Sequence, residues 1–121
     1  MDETVDVQMT AIGVGTVPAL AFYAYGRYIG DTVLGFDPTT LAIGTFAVTF
    51  AAIALLHNAY GRRDFAAAHA TAALGLGIVA VTGGGVLFLA GYLLLVVGGL
   101  YIAVMTMRAR REEREVAERP T

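Results

Sequence analysis

Cysteine and lysine are absent from this 121-residue chain, and charge of either sign is scarce. Without cysteine there is no disulfide, no thiolate metal site and no cysteine nucleophile. Charged residues make up 15% of the sequence, against roughly 25% in an ordinary soluble domain. A net charge of −2 argues for no particular partner. The eight basic residues are all arginine, which suits a GC-rich genome, and the acidic opening Met1-Asp2-Glu3 suits a salt-adapted organism.

What fills the chain instead is apolar. Hydrophobic side chains make up 57% of it, and the mean hydropathy is +0.68. Three stretches free of Asp, Glu, Lys and Arg, namely Val7–Gly26, Pro38–Gly61 and Phe65–Met107, take up 87 of the 121 residues. About 20 such residues carry a helix across the hydrocarbon core of a bilayer. The composition therefore excludes a soluble enzyme, a nucleic-acid binder and a secreted disulfide scaffold. It predicts an all-α integral membrane four-helix bundle made of two helical hairpins, forming one membrane domain over residues 1–121.

The first span is expected at about 7–29. Ala19-Leu20-Ala21 has the small-x-small form of a signal-peptide cleavage site, but the segment opens on Asp2, Glu3 and Asp6 rather than on positive charge, and it reads as a retained helix. Pro18 near its middle removes one backbone hydrogen bond and predicts a kink. Gly26-x-x-x-Gly30 has the spacing of a dimerisation motif, but Arg27 interrupts it and it reads as a loosened helix end.

Asp37-Pro38-Thr39-Thr40 is a helix start, with Asp37 as the cap and Pro38 where a missing N–H costs nothing. The second span is expected at 38–60 and ends at Gly61. Gly61-Arg62-Arg63-Asp64 makes a tight turn, with Asp64 placed to cap the next helix. The 43 uncharged residues that follow suit two spans, 64–82 and 86–107, reversed at Gly83-Gly84-Gly85. The runner-up is one long tilted helix with an interfacial segment. A tail, 108–121, continues the last helix until Pro120, with i,i+4 pairs Arg108–Glu112, Arg111–Glu115, Arg114–Glu118 and Glu115–Arg119 expected to support it. It reads as a solvated helix end anchored at anionic headgroups rather than as a specific docking site.

Four spans put the Arg62-Arg63 turn and the tail on one side. That side holds Arg62, Arg63, Arg108, Arg110, Arg111, Arg114 and Arg119, and the other holds only Arg27. The positive-inside rule then predicts cytoplasmic N- and C-termini in a multi-pass protein of the plasma membrane. Arg62, Arg63, Arg108, Arg110 and Arg111 are the expected membrane-interface charges. Tyr23, Tyr25, Tyr28 and Phe36 at the outer boundary, with Tyr60 and Phe65 at the inner, form an expected aromatic belt.

Within lipid, close approach of small residues supplies much of the attraction between helices. The third helix offers a seam of Ala66, Ala70, Ala73, Gly77, Ala80 and Gly84 at steps of three and four. The second carries Gly44, Ala47, Ala51, Ala54 and Asn58, and the fourth Gly84, Gly91 and Gly98.

Chemistry-bearing residues are few. His57 and His69 flank the Gly61–Asp64 turn at matching depth, which is the placement of a bis-histidine haem site, although close packing at Ala70 conflicts with a porphyrin there; two interfacial histidines hydrogen-bonded to the turn or to headgroups are the simpler account. No acid lies at mid-membrane to couple transport. Thr16, Thr45, Thr49, Thr71 and Thr82 could line a polar path, offer hydroxyl partners to Tyr92 and Tyr101, or bond back to their own backbone.

The Gly-Arg-Arg-Asp-Phe turn into an Ala-rich helix, then Gly-Gly-Gly and a Leu-Val-Gly-Gly final span, resembles small four-helix prokaryotic membrane proteins of unknown function, of the kind common in salt-loving archaea. The resemblance covers about 41–107 and brings no activity with it. Three functional classes stay open. One is a structural or accessory subunit without enzymatic activity, packing as a homo-oligomer or against a larger membrane complex. Another is a small channel or transporter subunit. The third is a haem- or quinone-associated electron-transfer subunit using His57 and His69.

Overall fold

The computed structural model describes residues 3–120, with side chains from Asp6 onward; Met1, Asp2 and Thr121, the outer ends of the acidic opening and of the tail, lie outside the described residues. Four helices follow one another: α1 (Glu3–Tyr28), α2 (Pro38–Ala59), α3 (Arg63–Thr82) and α4 (Gly85–Glu118). Each is long and apolar enough to cross a membrane. Helix α1 starts four residues ahead of the expected Val7. Asp6 lies near its start, where a carboxylate is favoured by the exposed N–H groups. It runs through Pro18 without interruption.

The connections follow local backbone chemistry. Asp37 caps α2, its carboxylate accepting from the Thr40 N–H at 2.8 Å and from the Thr40 hydroxyl at 3.1 Å, with Pro38 as the first helical residue. At the far end of α2 the Gly61 N–H donates to Asn58 O at 3.1 Å and the Arg62 N–H to His57 O at 2.8 Å. These two bonds make a Schellman closure, which needs the left-handed φ of +77° that Gly61 supplies. The cap of α3 is Arg62, without a side-chain bond. Asp64 thus sits inside the first turn rather than at the cap. Gly83 and Gly85 take left-handed φ of +62° and +80° and reverse the chain between α3 and α4.

The outer loop contains a miniature hairpin. Val33 and Phe36 exchange both backbone hydrogen bonds, at 2.9 and 3.0 Å. Leu34 and Gly35 between them have φ of +52° and +84°, the signature of a type I′ turn.

The helices do not close into the expected four-helix bundle. Each packs only on its neighbours in sequence: α1 on α2, α2 on α3 and α3 on α4. Among the described residues α1 has no close backbone contact with α3 or α4, nor α2 with α4. The result is an open row of four antiparallel helices. Its interior consists mostly of small side chains: Ala19, Ala42, Ala54, Ala68 and Ala72, with Ile53, Phe65 and Val79. The reason for the row is geometric. Helices lined with alanine and glycine satisfy their packing in close pairs, and the outward leucines and valines of α1 and α4 find no facing surface within the chain.

Glycines mark the closest approaches. A Cβ built on Gly75 would lie 2.5 Å from Gly91 O, and one on Gly98 would lie 2.6 Å from Ala68 O. On the other side of the row, Gly15 abuts the Thr49 side chain, and Gly26 sits against Pro38 with a would-be Cβ 2.8 Å from the ring. Gly26, read from sequence as a loosened end, is a packing contact.

Candidate functional site

Side chains with chemical potential gather where the α2–α3 turn meets the ends of α1 and α4. His57 and His69 are both buried, at 8% exposure each. Antiparallel packing around the Gly61–Arg63 turn brings their ring centroids to 4.8 Å, with planes 33° apart. Phe65 stacks on His57 at 5.2 Å, and Phe50 lies 5.7 Å from His69. The His69 Nδ1–H donates to Phe65 O, one turn earlier, at 2.8 Å. Because a carbonyl can only accept, this bond fixes the proton on Nδ1. From α1, Gln8 Nε2 reaches Nδ1 of His57 at 3.4 Å. The cluster therefore ties three helices together at one depth.

The expected pairing of the two histidines is present in space, but its form differs from that of axial haem ligands. Axial imidazoles aim ring nitrogens at each other through the iron from opposite faces of a macrocycle. Here the two rings are tilted against each other at 4.8 Å between centroids, and no gap for a porphyrin separates them. The physical cause is the closeness of α2 and α3, which pack directly on each other.

A second, more exposed group lies one turn away. Arg62 Nε is 3.7 Å from Asp64 Oδ1, and its guanidinium stands 4.4 Å over the Phe65 ring. The Tyr101 hydroxyl donates to Asp64 Oδ2 at 3.2 Å, joining α3 to α4. The threonines proposed from sequence as hydroxyl partners for Tyr101 take no part. Thr45, Thr49, Thr71 and Thr82 each donate to the carbonyl four residues back, at 2.7–2.8 Å. Their hydroxyl protons are spent within their own helices, which leaves a weak basis for a polar path.

The small-residue seam of α3 lies in a different phase from the expected one. Its buried line is Phe65, Ala68, His69, Ala72, Gly75 and Val79. Of the expected set, Ala66, Ala73, Gly77 and Ala80 are half-buried, and Ala70 and Gly84 are exposed. Nothing lies within 4 Å of a Cβ built on Gly77 or Gly84. Gly91 and Gly98 of α4 are buried against α3. In α2 the buried line is Ala42, Thr49, Ile53, Ala54 and His57; of the expected set only Ala54 belongs to it, and Gly44 meets nothing within 4 Å.

Two further features were not anticipated from sequence. One is an apolar groove of about 720 Å³ over α2, with Gly44, Thr45 and Val48 among its lining, Gly15 and Pro18 from α1, and Ala80 and Val81 from α3. Its sequence signal is Gly44 beside Thr45, a lone glycine in α2 that leaves room on that face. The other is how little ion pairing the arginines near the end of α4 make. Arg62, Arg63, Arg108, Arg110 and Arg111 are all exposed at the same end of the row. Among the described residues Arg62–Asp64 is the one ion pair within 4.0 Å. The i,i+4 pairs expected along the tail are thus not formed. Exposed pairs gain little over water, and holding two long side chains in one geometry costs entropy.

No protein-family model, no curated protein and no solved structure matches this chain.

Proposed function

We propose that the chain is a multi-pass protein of the plasma membrane, with both termini cytoplasmic, that serves as a structural or accessory subunit. Its partners are further copies of itself or a larger membrane complex. The membrane reading is supported by the outer surface of α4, where Leu87, Leu89, Leu93, Val96, Val97 and Leu100 are all exposed. Such a continuous apolar surface is unfavourable in water and at home in lipid. Orientation is supported by the seven arginines at the end of the row that also holds the start of α1 and the end of α4.

The accessory role rests chiefly on the open row. A row has two unpaired edges, the outer sides of α1 and α4, and each offers another helix a side-on contact without disturbing the rest. The channel alternative has little support, because the hydroxyls of Thr45, Thr49, Thr71 and Thr82 are committed to their own helices. The haem alternative has little support, because the histidine rings are in contact.

Pull-down of the full chain from native membranes in mild detergent tests the role. A stoichiometric larger assembly or a defined homo-oligomer is expected. Three results would overturn it: an isolated monomer, solute flux through reconstituted vesicles, or a Soret band lost in His57→Ala or His69→Ala.

A further inference from the structure

The tail of α4 carries its charges on two different sides. Met107, Arg110, Arg111 and Arg114 line one concavity of about 230 Å³, while Ala109, Glu112, Glu113 and Val116 line another. At about 100° per residue, the first set falls opposite Gly91 and Gly98, the residues that face α3. The arginine concavity therefore opens away from the protein, toward whatever surrounds α4. The acidic set continues the α3-facing side past the start of α3.

Three observations define the ligand. The apolar run of α4 ends at Met107, so in a bilayer Arg108–Arg111 stand at the level of the lipid phosphates. Arg114, about 10 Å beyond Met107 along the axis, shares its concavity with that residue, so its long side chain reaches back toward the phosphate level in the manner of a snorkelling arginine. Finally, none of the three guanidinium groups is held by a carboxylate within 4.0 Å among the described residues, although Glu115 and Glu118 stand at helical spacing from Arg111 and Arg114. Three free guanidinium forks beside a methionine match a phosphate diester carried on an apolar body, since the fork geometry suits paired phosphate oxygens.

We infer that Arg110, Arg111 and Arg114, with Met107 as the apolar wall, form a binding site for the headgroup of an anionic phospholipid. The site sits on the lipid-facing side of α4 where the membrane span ends. It would fix the depth and rotation of α4, because the basic side must face the headgroups while Glu112 and Glu113 turn inward over the end of the row. The inference rests on the membrane reading of α4 and is independent of any protein partner.

The test is native mass spectrometry of the full chain in a neutral detergent, titrated separately with phosphatidylglycerol, phosphatidylcholine and inorganic phosphate. Phosphatidylglycerol is expected to bind at least about fivefold more tightly than phosphatidylcholine, which is roughly the attraction of one arginine to an anionic surface. R110Q/R111Q/R114Q should abolish that preference. R63Q/R108Q/R119Q removes as many positive charges from the same end and should retain it. The site is overturned by equal loss in both triple variants, by an unchanged preference in the first, or by inorganic phosphate displacing the lipid at equal concentration. A chain that binds neither lipid refutes the membrane reading as well, whereas equal binding of both lipids refutes only the site.

Discussion

Gly75 and Gly91 meet backbone to backbone: a Cβ on Gly75 would lie 2.5 Å from the Gly91 carbonyl oxygen, and one on Gly91 would lie 2.9 Å from that of Gly75. The obstacle at each position is main chain, which cannot rotate aside. Gly77, two residues on in the same helix, faces open space.

The contrast gives a prediction of opposite sign within one helix. Gly75→Ala forces α3 and α4 apart and should destabilise the fold by about 1–3 kcal/mol, the usual cost of overpacking. Gly77→Ala should instead stabilise it, by up to about 1 kcal/mol, through helix propensity alone. Unfolding in mixed micelles with increasing dodecyl sulfate, followed by circular dichroism, measures both. Destabilisation of similar size in the two variants would contradict the described seam.

Leu34 offers a second test. It occupies the left-handed region at φ +52°, where a Cβ costs roughly 1–2 kcal/mol, and its side chain is 94% exposed. Nothing in the chain repays the strain through burial. Leu34→Asn, a residue that tolerates this conformation, should therefore raise stability by about 1 kcal/mol, read by the same micelle titration. A loss of stability would mean that the Val33–Phe36 hairpin is not formed as described.

Topology is exposed to a direct check. A reporter fused after Thr121 and another inserted near Asp31 should report opposite sides of the membrane, with the Thr121 reporter cytoplasmic. The same side for both would refute four spans. Opposite sides with Thr121 outside would refute the orientation drawn from the arginines.

Much of this architecture was legible in the residues, for reasons that differ along the chain. Asp37-Pro38, Gly61 and the three glycines at 83–85 act through local backbone chemistry, and local chemistry survives whatever the helices later pack against. The phase of the α3 seam was not legible. Alanine and glycine occur nearly all round that helix, so Ala66-Ala70-Ala73-Gly77 and Ala68-Ala72-Gly75 are equally regular, and only the partner decides between them. Gly91 and Gly98 demand backbone on the facing side, and Gly75 with Ala68 provides it. The histidines were placed at the right depth, because depth follows from counting residues away from a turn. Whether two rings at one depth face each other through a gap or in contact depends on interhelical distance, which the sequence of a single helix does not specify.

The row also has a meaning for how the protein is made. Since every helix rests only on the one synthesised just before or just after it, no segment leaving the ribosome has to wait for a distant mate. Contacts close at short chain separation, the condition for rapid assembly, and they close in the order of translation. Cutting the chain back from its carboxyl end, one helix at a time, should accordingly leave shorter arrays whose remaining pairs are still intact.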